Sequence, residues 1–183
     1  MTKWLIIDGY NLIHRTGNYR SGAPAFRAVG VARDLAGKRR RLIQLLEKTV
    51  GILAERITVV FDGRSGGDGH SDGGPDEQES SVVEVLFSPR DKTADTVIEQ
   101  LVFKAGPVGK VMVVTSDRLE RETTEAVGAE TMACSVFLDQ LNETLIRIEQ
   151  ELRSRAAAQH PATPLGNPFS ELDIHKPGEP PGA

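Results

Sequence analysis

The chain has 183 residues, enough for one domain with a full apolar core. Its 22 lysines and arginines against 26 aspartates and glutamates leave a formal charge of −4, so no global basic surface marks a nucleic-acid binder and any such contact must be local. The single cysteine, Cys134, excludes an intramolecular disulfide and a cysteine-based zinc site.

The first apolar run, Leu5-Ile6-Ile7, is interrupted by Asp8 and is far too short for a signal peptide or a membrane span, which makes the cytoplasm the expected compartment. Residues 4–7 read as a buried strand, followed by a loop rich in Gly, Asn, Arg and Ser up to about Ala25. A helical pattern then culminates in Leu42, Leu45, Leu46, Thr49, Val50 and Leu53, three and four apart on one face, with the basic run Lys38-Arg39-Arg40-Arg41 at its middle. Ile57–Phe61 reads as the second strand, and 63–80, full of Gly, Asp and Ser, as a flexible loop.

Val82–Phe87 is a third strand. Thr93 suits the N-cap of a helix whose buried face is Val97, Ile98, Leu101 and Val102. Val111–Thr115 is the fourth strand, Arg118–Val127 a helix stopped by Gly128, and about Glu130–Ala133 a weak fifth strand running into Cys134. The last helix starts near Ser135, with Leu138, Leu141, Leu145, Ile148 and Leu152 along its apolar seam. From about His160 the sequence turns to Pro, Gly and scattered polar residues, so the expected organisation is a domain over 1–157 and a disordered tail over 158–183. Within that tail, Leu165 to Leu172 reads as featureless or as a short docking peptide for a protein partner around Phe169. Strands alternating with helices predict an α/β fold: a three-layer α/β/α sandwich on a mainly parallel central sheet.

Aspartates close three of the apolar runs, at Asp8, Asp62 and Asp117, and Asp95 opens a helix. In a parallel sheet these strand ends share one edge, the edge where ligands bind in open α/β folds. Carboxylates gathered there repel one another unless protonated or neutralised by a cation. Oxygen donors with no soft ligand among them favour Mg²⁺ or Mn²⁺. For Asp95 alone, stabilisation of the helix end is the competing explanation, and Glu99, four residues on, either extends the acidic group or holds a basic partner. Other chemistries find no support: a haloacid-dehalogenase-type phosphatase needs an acid where Tyr10 stands, and there is no Walker-type phosphate loop or Gly-x-Ser-x-Gly elbow.

Asp8-Gly9-Tyr10-Asn11 directly after an N-terminal strand resembles the opening of NYN domains, a branch of the PIN-like nuclease superfamily. Val60-Phe61-Asp62, then Thr93 to Glu99, then Thr115-Ser116-Asp117-Arg118 follow in an order and spacing similar to the bacterial YacP-like NYN group over roughly residues 3–155. The resemblance implies a PIN-like fold and a metal-dependent endoribonuclease, with Asp8, Asp95 and Asp117 as the metal carboxylates for Mg²⁺ or Mn²⁺. It also implies that Asn11 orients Asp8, a phosphate or a water, that Asp62 is auxiliary or structural, and that cleavage leaves a 5′-phosphate and a 3′-hydroxyl. Ser116 and Arg118 would touch RNA, or else make the Asp117 turn and a solvated helix start.

For Lys38, Arg39 and Arg40 the expected role is contact with the phosphate backbone, set against a plain solvated helix face. RNA as substrate, whether mRNA or ribosome-associated, rests on the resemblance. The rival readings are a non-catalytic RNA- or ribosome-binding module, a metal-dependent phosphatase and an adaptor acting through the tail.

Overall fold

The computed structural model describes residues 2–19, 23–63, 82–106 and 111–159. The Gly/Asp-rich loop expected over 63–80 lies almost wholly outside the described residues, as does the expected tail from His160, with its Phe169 peptide. Met1–Glu149 forms one compact unit, and Gln150–Ala183 is a second.

The elements run β1 (Thr2–Asp8), α1 (Gly9–Gly17), α2 (Pro24–Gly30), α3 (Leu35–Glu47), β2 (Ala54–Phe61), β3 (Val83–Phe87), α4 (Ala94–Ala105), β4 (Val111–Val114), α5 (Arg118–Ala126), β5 (Glu130–Met132) and α6 (Cys134–Gln159). The five strands form one sheet in the order β3-β2-β1-β4-β5, parallel at every pairing. The chain thus builds outward from β1 to β3, then returns through α4 to lay β4 on the other side of β1. Strand order reverses between β1 and β4, the switch point where the carboxyl ends of the strands leave a crevice.

Alternation along the strands sorts side chains onto two faces. Leu5, Ile7, Val59, Phe61 and Val114 meet Leu12 and Ile13 of α1, Phe26 and Val29 of α2, Leu42 and Leu46 of α3, and Phe137, Leu138 and Leu141 of α6. Ile6, Val60 and Val113 meet Ala94, Ile98 and Val102 of α4 on the opposite face. Each such fully buried Leu or Ile stabilises the fold by roughly 1.5–3 kcal/mol, so the two apolar layers together fix the sheet between its helices. Asp8 has the same parity as Ile6 and leaves the sheet on the α4 side.

The structure departs from the sequence reading in three places. The segment expected to loop after the first strand folds at once into α1, because Asp8 caps it and Leu12, Ile13 and Thr16 give it a buried stripe. The helix expected to extend to Leu53 stops at Glu47. Gly51, at φ +80°, turns the chain there, while Thr49 stays buried by donating its hydroxyl to the Leu46 carbonyl at 2.7 Å, so helical spacing persists without a helix. Cys134, expected beside the last strand, is the first residue of α6. Among the described residues no helix is long and apolar enough to cross a membrane.

Candidate metal centre at the sheet edge

Three carboxylates converge in the crevice between β1 and β4. Asp8 comes from the end of β1, Asp95 from the first turn of α4 and Glu120 from the first turn of α5, and one oxygen of each lies within 4.8 Å of the others. Asp8 and Glu120 are buried, whereas Asp95 is exposed and faces solvent.

Asp8 is held on both oxygens. The backbone N–H of Asn11 donates to Oδ1 at 3.0 Å and the Asn11 side-chain amide to Oδ2 at 2.6 Å. The first contact is an N-cap; the second fixes the carboxylate's rotation. Gly9, between them, is required by space: a Cβ there would overlap the Phe61 ring. The Asp8-Gly9-Tyr10-Asn11 sequence is therefore a fitted turn, with Phe61 pressed against its backbone.

Glu120 is the group that sequence reasoning missed. It is 2% exposed, and neither carboxylate oxygen accepts a well-formed hydrogen bond among the described residues, the Thr115 side chain being the one donor near enough to favour its charge. Burial pushes its carboxyl up to about 8; the Thr115 side chain offsets part of the rise, and the charges of Asp8, Asp95 and Asp117 add to it. Asp95 is raised too, first by burial and then by Asp8 and Asp117, its own backbone hydrogen bond opposing them and Glu99 adding a little. A signal for Glu120 existed in Asp117-x-x-Glu120, the spacing of a helix capping box. Read that way, Glu120 would reach back to the Asp117 N–H. That N–H instead donates to Thr115 Oγ1 at 3.1 Å, and Glu120 turns inward to the other acids.

Asp117 caps α5, its Oδ1 accepting from the N–H groups of Leu119 at 2.7 Å and Glu120 at 3.2 Å. Its charge reaches Asp95 and Glu120, but the tight group of three oxygens contains Glu120 and not Asp117. Asp62 stands apart, at the end of β2, where Ser88 donates its hydroxyl to Oδ1 at 3.2 Å and Gly63 N–H donates to the same hydroxyl at 3.0 Å. That arrangement ties β2 to β3. Burial raises the Cys134 thiol, and the Ser116 side chain offsets part of that rise.

The expected RNA contacts are divided. Lys38 is half-buried and Arg40 exposed. Arg39 points inward: it is 6% exposed, donates from Nη1 to the Tyr10 hydroxyl at 2.9 Å and lies over the Phe87 ring at 5.5 Å and the Phe61 ring at 6.0 Å. A helix carrying four consecutive basic residues cannot turn all of them to solvent, and Arg39 falls on the buried stripe with Leu42, Ile43 and Leu46. Arg118 is exposed and pairs with Glu122 along its own helix at 2.8 Å.

The donor set fits a hard divalent cation. Mg²⁺ binds oxygen at about 2.0–2.1 Å, so opposite ligands of one ion are at most about 4.2 Å apart, close to the separation that these carboxylates already have. The orphaned oxygens of Glu120 are what such an ion would satisfy.

The sequence matches the family model of the YacP-like NYN domain over residues 5–172. A relative from Bacillus subtilis (strain 168), named as uncharacterized protein YacP, is 28% identical over 160 residues, 86% of this chain and 85% of that protein. The crystal structure of Rae1 (YacP) from Bacillus subtilis is similar at a TM-score of 0.67 and 26% identity, over 88% of this chain and 85% of that one. A tryptophan-to-leucine mutant of Rae1 is similar in fold at a TM-score of 0.63 and 24% identity, over 85% and 84% of the two chains.

Proposed function

The chain belongs to the YacP-like NYN domain family, and from that premise we propose that it is a metal-dependent endoribonuclease that hydrolyses RNA at the Asp8–Asp95–Glu120 cluster. The observation that carries the reading is the convergence of three acids at the switch point, one of them buried with both oxygens unpartnered. Apart from the Thr115 side chain, what surrounds this carboxylate is more negative charge, with Asp8 and Asp95 beside it.

Asp8, Asp95 and Glu120 would hold Mg²⁺ or Mn²⁺, with Asp117 adding negative charge at the rim. When bound, such an ion supplies charge neutralisation for the phosphodiester and a water of lowered pKa. Asn11 keeps both oxygens of Asp8 aimed, which limits the reorganisation needed on binding. Asp95, the exposed member, marks the open side by which a phosphate backbone approaches. Glu120, the most buried of the three, would hold the ion from the inner side. Attack of water in line with the scissile bond forms a new P–O bond and breaks the bond from phosphorus to the 3′ oxygen. That oxygen leaves with a proton, giving 5′-phosphate and 3′-hydroxyl ends. Lys38 and Arg40 would meet the backbone farther from the cut.

The test incubates end-labelled RNA with purified protein in Mn²⁺ or in chelator, beside Asp8→Asn and Glu120→Gln. Internal cuts that need the metal and vanish in both variants support the reading. Cuts of equal rate in the variants, or phosphate release from mononucleotides without internal cuts, would contradict it.

A further inference from the structure

A nuclease needs a cation beside its acids as well as within them, since the phosphates flanking the scissile one carry charge into a negatively charged crevice. The basic residues read from the sequence serve this poorly. Arg39 is buried against two aromatic rings, Arg118 is turned along α5 to Glu122, and Lys38 and Arg40 lie on α3, which supplies none of the three acids.

Arg15 is better placed. It lies four residues after Asn11 on α1, so the two side chains share one helix face about 6 Å apart along the axis. Asn11 is the residue that grips Asp8. Arg15 is exposed, and no carboxylate pairs with it among the described residues. Asn11 reaches Asp8 with its side-chain amide at 2.6 Å, and side chains one helical turn apart are neighbours, so the Arg15 side chain is within reach of the same edge of the crevice.

We infer that Arg15 grips a phosphate of the RNA strand next to the bond being cut, with Asn11 on the same helix, and Asp8 at its cap, setting the register. The inference deepens the endoribonuclease reading and rests on it for the identity of the strand. A guanidinium suits the task, because its fork meets two phosphate oxygens at once, and sequence plays no part in such a contact.

The test measures binding of a fluorescein-labelled single-stranded RNA by anisotropy, in Ca²⁺ and over a range of salt, for the full chain and for Arg15→Gln and Arg15→Lys. Loss of one phosphate contact should weaken binding about fivefold near 0.1 M salt and flatten the logarithmic salt slope by about 0.7. Arg15→Lys should recover most of both, and the melting temperature without RNA should stay unchanged in either variant. Equal affinity and equal slope in Arg15→Gln would overturn the inference, as would a loss of affinity that only tracks a loss of stability. Parallel cleavage in Mn²⁺ separates the two claims. If the wild type cuts RNA and Arg15→Gln binds it normally, Arg15 alone is wrong; if nothing cuts while binding depends on Arg15, the hydrolytic reading is wrong.

Discussion

Two ionisable groups are buried near the carboxyl edge of the sheet, and they have been treated in opposite ways. Arg39 sits above the ends of β2 and β3 with two phenyl rings beneath it and a phenol to bond, although its Nε has no partner among the described residues. Aromatic faces and a hydroxyl are a tolerable replacement for water around a weakly hydrated guanidinium. Glu120, beside β1 and β4, has been given neighbours of its own sign. Packing has settled the arginine's charge within the protein and left the glutamate's ionised form unfavoured. A fold keeps a group in that condition where something from outside completes it, which is why the acidic end and not the aromatic end reads as the working end.

The contrast can be broken most severely by neutralising the acids. Glu120→Gln is expected to lower the cleavage rate about a thousandfold while leaving the metal-free protein at least as stable near pH 8, because the amide can donate to Asp8 and Asp95. Rate assays paired with thermal melts check this. A variant that loses activity only by unfolding would return Glu120 to the structural class of Arg39.

The next effect is on pH. The carboxyl of Glu120 sits at about 8 in the fold against 4.5 for the free group, so the folded state binds the extra proton between those values. Stability from this group is complete below pH 4.5 and is lost as pH rises through about 8, a change on the order of 5 kcal/mol without metal. Asp95 is raised as well and acts in the same direction. Denaturant titrations in chelator should therefore show stability falling from about pH 5.5 to about pH 8.5. The fall should shrink in Glu120→Gln and reverse with Mn²⁺, whose binding requires the deprotonated acid.

Arg39→Ala should cost about 2 kcal/mol by emptying space over Phe61 and Phe87 and by orphaning the Tyr10 hydroxyl. Its affinity for Mn²⁺ should stay within about twofold of wild type, as calorimetry would show. The smallest change is expected for Asp62→Asn. The amide oxygen still accepts from Ser88, so activity within about threefold and stability within about 1 kcal/mol are expected.

Much of this arrangement was legible in the chain. Asp8 and Asp95 announce themselves because a strand end and a helix start are visible as patterns, and both reach the cluster. The α/β/α layering follows from strands alternating with helices. The helix after Asp8 was obscured by Gly, Asn and Arg, whose loop preference yielded to a cap and a stripe of Leu12, Ile13 and Thr16. Glu120 was hidden because a glutamate three residues after a capping aspartate is a common structural pattern, and only the approach of β1 and α4 brings it into an acidic cluster. Arg39 was hidden in the opposite sense. Within a basic run nothing local tells which residue faces the core, and two phenylalanines distant in sequence decide it.

The most direct test titrates Mn²⁺ into the full chain at about pH 8 and follows the free-ion resonance by electron paramagnetic resonance, for wild type, Asp8→Asn, Glu120→Gln and Asp62→Asn. Saturable binding that weakens at least about tenfold in Asp8→Asn and Glu120→Gln and is unchanged in Asp62→Asn is the predicted result. Equal affinity in all four proteins, or no binding in any of them, would mean that the three acids meet for some reason other than to hold a cation.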